Sequence, residues 1–262
     1  MINDQMLGDF IFNVDSDWKT LKLQTNANNR AASVLNFLSF GVEHILSGYD
    51  HLLFILGLLI LFARLRLFLS ITGFTVGHSI SIFLGSLGVV IAEMNLVESL
   101  IGFSIFFLGY EYFYHYLLTK NTHFKIWKFI PLLLLVLLYV TGMLGFLLFL
   151  GLAFFSLSYL RIILNNKEMI KPLLITGFFG LIHGLGFASN LSGAGFTDNL
   201  LLGVLGFNIG VEIGQLIFAF LALIVFKIIS NIFGTYYLKI TKHAISSLLI
   251  SFGIFWFVVR LI

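Results

Sequence analysis

Residues 43–62 read EHILSGYDHLLFILGLLILF. Four ionisable side chains, Glu43, His44, Asp50 and His51, stand at the head of an otherwise apolar run long enough to enter a lipid bilayer. Ionisable groups inside a membrane cost free energy, and they are retained where they serve a function. The stretch therefore predicts a membrane helix that carries part of a polar site.

The composition extends this interpretation to the whole chain. The 262 residues are 59% hydrophobic and 10% charged, with a mean hydropathy of +1.04, whereas about 25% of the residues of soluble proteins are charged. We therefore predict an all-α fold, a polytopic bundle with room for about eight transmembrane helices of ~20 residues. Because cysteine is absent, disulfides and thiolate metal sites are excluded.

Hydropathy divides the chain into a short tail, residues 1–33, and one transmembrane domain, residues 34–262. The apolar stretches run over 34–62, 67–91, 96–118, 127–143, 145–163, 172–191, 199–226 and 240–261. The weakest break, at 141–145, is interpreted as a tight turn, because 127–163 is too long for a single span. The many phenylalanines are interpreted as bulk that faces lipid.

Basic residues are concentrated in every second loop between these stretches. They are Arg64 and Arg66, then Lys120, Lys125 and Lys128, then Arg161, Lys167 and Lys171, and finally Lys227, Lys239 and Lys242. The intervening loops carry Glu93, no charge, and Asp198. By the positive-inside rule this alternation predicts that both termini, including the 1–33 tail, are extracytoplasmic. Since topology accounts for the basic residues, no nucleic-acid partner is expected.

Polar residues recur near the middle of five apolar stretches, where an unpaired ionisable group could cost about 2.5–3.5 kcal/mol. We expect these groups to face one another. The predicted metal ligands are His44, Asp50, His51, His78, His183 and Glu212. Four further side chains are expected to support them: Glu43, Glu111, Asn208 and Gln215. Glu98, close to the start of its stretch, is expected at the membrane interface.

Imidazole and carboxylate ligands without a thiolate suit Ni(II), Co(II), Zn(II) or Fe(II). Three functions fit such a site: a metal-ion permease, an intramembrane zinc-dependent hydrolase, and an accessory or scaffold protein whose polar groups only hold helices together. The HxxxH and HExxH spacings typical of intramembrane metalloenzymes are absent. This favours transport over catalysis, and we do not expect an enzyme.

Five motifs, in order, resemble the HupE/UreJ family of nickel permeases and hydrogenase or urease accessory proteins. They are GVEHILSGYDHLLF (41–54), FTVGHSISIFL (74–84), VESLIGFSI (97–105), FFGLIHGLGFA (178–188) and GFNIGVEIGQL (206–216). The resemblance implies a six-span core with 120–170 as an inserted helical hairpin, and nickel or cobalt as the metal, with zinc also compatible. It further implies a multi-pass protein of a bacterial inner membrane, working as a homo-oligomer or with a metalloenzyme-maturation partner.

Overall fold

The chain folds into a bundle of α-helices, which confirms the predicted all-α class. The computed structural model describes residues 9–14, 17–22, 30–120, 122–164, 170–191 and 200–262. Within these ranges the helices are α1 (Arg30–Ser47), α2 (Tyr49–Leu61), α3 (Leu65–Ser86), α4 (Met94–Lys120), α5 (Ile130–Val140), α6 (Phe146–Leu164), α7 (Ile170–Leu191), α8 (Leu200–Phe233) and α9 (Thr235–Val259). A 3-10 helix, Thr122–Phe129, precedes α5, and two short antiparallel strands, β1 (Asp9–Val14) and β2 (Asp17–Lys22), precede the bundle.

Several of the described helices are long and apolar enough to cross a membrane. Four pass this test singly: Leu65–Ser86, Met94–Lys120, Leu202–Phe233 and Thr235–Val259. The bent pair Val34–Ser47 and Tyr49–Leu61 passes as a fifth, and three shorter apolar helices accompany them. The count of eight spans and the outward termini stay predictions, and Asn3 and Asp198, which would report the outer side, lie outside the described residues.

The first predicted span is not one straight helix, which corrects the interpretation of 34–62. α1 ends at Ser47, α2 begins at Tyr49, and the two are bent by 73°. Gly48 between them has an extended backbone, with φ −79° and ψ 99°, so the helical hydrogen-bond ladder is interrupted there. Hydropathy measures how apolar a segment is and does not detect such a break.

Glycines allow α3 and α7 to pack backbone against backbone. A Cβ atom built on Gly77 would lie 1.9 Å from the Gly177 carbonyl oxygen, and one on Gly184 would lie 2.5 Å from that of His78. Small residues permit this close approach in membrane helices. Because the partners rise together in residue number, the helices run parallel. The contact places His78 and α7 next to each other.

Two further pairs complete the bundle. The helix α8 uses Gly206, Gly210 and Gly214, which lie one helical turn apart, against Val34–Ile45 of α1, again in parallel. By contrast α4 and α9 are antiparallel, with Gly102 beside Phe257 and Gly109 beside Ser246. Because α3 and α7 run in the same direction, the chain between them must cross the membrane an odd number of times. The predicted eight spans satisfy this condition, and so do six.

The loops differ from the prediction in one place and agree in another. The tight turn expected at 141–145 is confirmed, with Gly142 at φ +77° between α5 and α6. The loop expected between 226 and 240 is instead a single residue, Gly234, at φ +92°. Helices can continue beyond the apolar layer, so hydropathy marks the membrane boundary rather than the end of a helix.

We expect Gly77→Ala to destabilise the protein by about 1–3 kcal/mol or more, because the new methyl group overlaps the backbone of α7. The matched control is Gly151→Ala in α6, where an added Cβ meets no atom within 4 Å. Alanine is the better helix former at such a position. Thermal unfolding in detergent measures both variants. Equal unfolding temperatures would contradict the α3–α7 packing.

Candidate metal centre

Three imidazoles from three helices meet inside the bundle. One ring nitrogen from each of His44, His51 and His78 lies within 4.8 Å of one from each of the others. His44 is in the last turn of α1 and His51 in the first turn of α2. The bend at Gly48 brings their ring centroids to 4.7 Å. On one straight helix the seven-residue spacing would put both rings on one face, whereas in the structure they face each other across a break.

Hydrogen bonds from three of the imidazoles determine which ring nitrogen is left to bind a metal ion. The Nδ1–H of His51 donates to Asp50 Oδ1 at 2.9 Å, and that of His78 donates to Asn208 Oδ1 at 3.3 Å. His183 donates from Nδ1 to the Phe179 carbonyl oxygen at 2.9 Å. In a neutral imidazole with Nδ1 protonated, Nε2 carries the lone pair that binds a metal.

The Nε2 atoms of four histidines make no hydrogen bond within the described part of the chain. Those of His44, His51, His78 and His183 are buried and lack a hydrogen-bond partner among the described residues. Buried polar atoms normally find a partner, and unsatisfied ones need an explanation. Metal-binding histidines place one ring nitrogen on a protein acceptor and the other on the ion, an arrangement that His51, His78 and His183 allow. The donor set therefore fits a divalent transition-metal ion.

The predicted ligand His183 lies beside this triad. Its ring centroid is 5.5 Å from that of His51, but its ring nitrogens do not fall within the mutual 4.8 Å of the triad. The close contact between α3 and α7, which depends on Gly180 and Gly184, holds it there. His183 is therefore a fourth imidazole at the edge of the centre, within reach of a small rearrangement.

Asp50 was predicted as a ligand, and the structure places it behind His51. Its Oδ1 accepts both the backbone N–H of His51 at 2.8 Å and the ring Nδ1–H. Asn208, predicted as a supporting residue, has the equivalent position behind His78. Its Nδ2 donates to the Val204 carbonyl at 2.8 Å, which turns Oδ1 toward the ring. Both side chains thus orient an imidazole of the triad, and Asp50 adds a negative charge.

Two predicted site residues of α8, Glu212 and Gln215, face α3. Glu212 accepts a hydrogen bond from Thr72 Oγ1 at 2.7 Å, and Gln215 accepts one from Thr75 Oγ1 at 2.9 Å. The second carboxylate oxygen of Glu212 is buried and has no hydrogen-bond partner among the described residues. The structure therefore places Glu212 on the same helix face as Asn208 but outside the imidazole triad.

The structure places the two other predicted supporting residues differently from Asn208 and Gln215. Glu43 is on the exposed side of α1. Glu111 is buried on α4, where it accepts a hydrogen bond from Tyr159 of α6 and faces His115. Equal depth along their helices suggested that Glu111 and the histidines meet, but depth does not specify which way a side chain points around the helix.

A cavity of about 300 Å³ reaches the centre from the end of the bundle where α4 begins and α9 ends. His44, Asp50, His51 and His183 line its inner part, and Met94, Glu98, Trp256 and Arg260 line the rest. Glu98 and Arg260 form an ion pair at 2.8 Å. The sequence assigned Glu98 to the interface only, because no pattern links residues at the ends of two distant helices.

Phenylalanines close the centre on its other side, which corrects their interpretation as lipid-facing bulk. Phe54, Phe74 and Phe179 are each about 1% exposed. Phe54 and Phe74 lie 5.2 and 4.9 Å from the His183 ring, and Phe54 lies 5.7 Å from Phe179. We call these three residues the aromatic floor. Each lies about one helical turn from a histidine of the centre: Phe54 from His51, Phe74 from His78 and Phe179 from His183. These spacings are visible in the sequence.

The comparisons with known proteins agree with this picture. Residues 19–156 and 122–260 match the family described as HupE / UreJ protein. Neither the curated proteins nor the solved structures give a match. The two matched stretches together run from residue 19 to residue 260, and they include every helix that contributes an imidazole to the centre. With its apolar helices, the chain is thus a multi-pass integral membrane protein that belongs to the HupE/UreJ family.

Proposed function

We propose that this protein transports a divalent transition-metal ion, nickel or cobalt, across a membrane. The observation that carries the proposal is the convergence of His44, His51 and His78, with buried Nε2 atoms that have no hydrogen-bond partner among the described residues. Imidazole nitrogens suit Ni(II), Co(II) and Zn(II). The metal ion is the transported substrate. A neutral imidazole does not have to lose a proton before it binds the ion.

The two sides of the centre support transport. The cavity leads to the imidazoles from one end of the bundle, and the aromatic floor blocks passage toward the other end. At about 30 Å³ for each water, a volume of 300 Å³ holds about ten waters, enough for a hydrated ion. A carrier in one of its alternating states has this form, with a site near the middle that is open to one side.

The broken helix at Gly48 also suits an ion site. The α1 helix ends and α2 begins beside the imidazoles, so the negative end of the α1 dipole and the positive end of the α2 dipole both lie there and largely offset each other. Transporters use such discontinuous helices to expose backbone groups to ions. Asp50 supplies a negative charge next to His51, whereas the charge of Glu98 on the cavity wall is paired with Arg260. The charge of Asp50 offsets part of the charge of a divalent ion.

A zinc-dependent hydrolase is the alternative, because three imidazoles with an open fourth position also occur in catalytic zinc sites. Such an enzyme needs a free base for the metal-bound water. Both carboxylates that line the cavity are engaged, Asp50 with His51 and Glu98 with Arg260. This favours transport. We propose a bacterial inner membrane as the location, with a second copy or a metalloenzyme-maturation protein as partner.

The test uses purified protein in proteoliposomes and in detergent. Wild type should bind Ni(II) or Co(II) and admit it to the vesicle interior, and His78→Ala should lose both properties. His243→Ala is the matched control, since its Nε2 is also buried and without a partner among the described residues, yet the ring lies beside Tyr116. Tight binding without uptake would favour the hydrolase. If the wild type binds no metal, the result would favour an accessory or scaffold protein and overturn the proposal.

A further inference from the structure

A second buried ionisable group lies outside the metal centre. Glu111 of α4 is about 1% exposed, in a helix apolar and long enough to span a membrane. An ionised carboxylate in that environment is costly, and such residues indicate function. No lysine or arginine among the described residues forms an ion pair with it. A bound proton would neutralise it.

The two oxygens of Glu111 face different surroundings. Tyr159 of α6 is buried and donates a hydrogen bond from its hydroxyl group to Oε2. On the other side, Oε1 lies 3.7 Å from Nε2 of His115, a side chain that is 43% exposed. His115 is one helical turn closer to Lys120, at the end of the bundle opposite the cavity. The imidazole thus connects a buried carboxylate to the surface.

Among the side chains that the structure describes, several other ionisable groups on the helices around α4 make their contacts elsewhere. Asp50 and His51 of α2 and His183 of α7 belong to the metal centre. From α9, His243 and Lys239 lie against Tyr116. Within α4, Tyr110 donates to the Trp127 carbonyl oxygen of the 3-10 helix, whose Lys128 lies over Phe129. Among the described side chains, His115 and Tyr159 are the titratable groups in contact with Glu111.

Tyr159 also connects Glu111 to the metal centre. Its ring centroid lies 6.2 Å from that of Phe179, a residue of the aromatic floor. The carbonyl oxygen of Phe179 accepts the Nδ1–H of His183 at 2.9 Å. A change at Glu111 that moves Tyr159 thus reaches the helix turn that orients His183. The contact also gives the α5–α6 hairpin a role, since Tyr159 belongs to it.

We propose that Glu111 is a proton-binding site, exchanging with the Lys120 end of the bundle through His115 and coupled to the metal centre through Tyr159 and Phe179. In the exchange step an N–H bond of the His115 imidazolium breaks and an O–H bond forms at Glu111 Oε1. The products are a neutral imidazole and a carboxylic acid, and water at the surface reprotonates the imidazole. The gap of 3.7 Å is closed by a small rotation or by one water. The coupling rests on the proposed metal transport, whereas the proton site does not.

Infrared difference spectroscopy of the purified protein tests the site. Lowering the pH should produce the carbonyl band of a protonated carboxyl group that is absent from Glu111→Gln. The matched control, Glu98→Gln, makes the same change on the same helix and should keep the band. Tyr159→Phe retains Glu111 but removes the hydrogen bond to Oε2, so the band should move to higher frequency. A wild-type spectrum without a band that Glu111→Gln removes overturns the proposal.

Ni(II) tests the coupling in the same samples. Since linkage is reciprocal, saturating Ni(II) should shift the proton concentration at the midpoint of the Glu111 band by about five-fold or more. Phe179→Leu, which keeps the backbone carbonyl, should reduce this shift. An unshifted midpoint in protein that demonstrably binds Ni(II) overturns the coupling. If Ni(II) does not bind, the proposed transport and the coupling both fail, and the band alone decides the proton site.

Discussion

Replacing His51 with alanine is expected to lower the affinity for Ni(II) more than about 100-fold, beyond the loss caused by removing a partner that only orients a ligand. His51 is central in the cluster, with ring centroids of His44, His78 and His183 at 4.7, 5.6 and 5.5 Å. Its removal takes away one of three converging nitrogens and leaves Asp50 without its imidazole. Isothermal titration of detergent-solubilised protein measures the loss.

A graded series separates the ligand from its support. Asp50→Asn should weaken binding by about ten-fold, because the amide oxygen can still accept from His51 but the negative charge is lost. His243→Ala should leave the affinity unchanged. Binding by all variants should weaken as the pH falls, since protons compete for the Nε2 lone pairs. Equal affinities for wild type and His51→Ala would refute the site, and with it the main support for transport.

The membrane fold and the membership of the imidazoles in one centre could be predicted from the sequence. Unpaired histidines and carboxylates at similar depths in apolar helices are costly, so their convergence follows from energetics. This argument holds for His44, His51, His78 and, at the edge of the centre, His183. It fails for Glu111, whose buried carboxyl group is stabilised instead by a hydrogen bond from Tyr159 on another helix. Depth limits the partners that a group can have, but the rotation of each helix selects among them.

The division between ligands and supporting residues could not be predicted from residue type. Asp50 and His51 are adjacent in the chain, and either could face an ion. The break at Gly48 decides the matter, because it turns Asp50 toward the backbone N–H and ring Nδ1 of His51. The aromatic floor was overlooked for a different reason. Phenylalanine is equally apolar in lipid and in a packed core, so composition cannot tell Phe54 or Phe74 from the residues that face lipid.

The break itself can be tested, and Gly48→Ala is expected to lower the affinity for Ni(II) by about 10- to 100-fold while the protein remains folded. An added Cβ would lie 2.8 Å from His51 Nδ1, 2.9 Å from the His44 carbonyl oxygen and 3.0 Å from Asp50 Oδ1. Alanine can adopt the backbone angles of residue 48, so the effect arises from this contact and not from backbone strain. The methyl group separates Asp50 from His51 and turns the ring.

Gly145→Ala is the matched control for this variant. Gly145 also directly precedes a helix, with its carbonyl oxygen accepting from Phe149 N–H at 2.9 Å, but a Cβ there meets no atom within 4 Å. It should bind Ni(II) like wild type. Circular dichroism and thermal unfolding of both variants show whether the helices persist. Gly48→Ala with wild-type affinity would show that the His51–Asp50 contact tolerates a methyl group, and the broken helix would then not be what positions the imidazole.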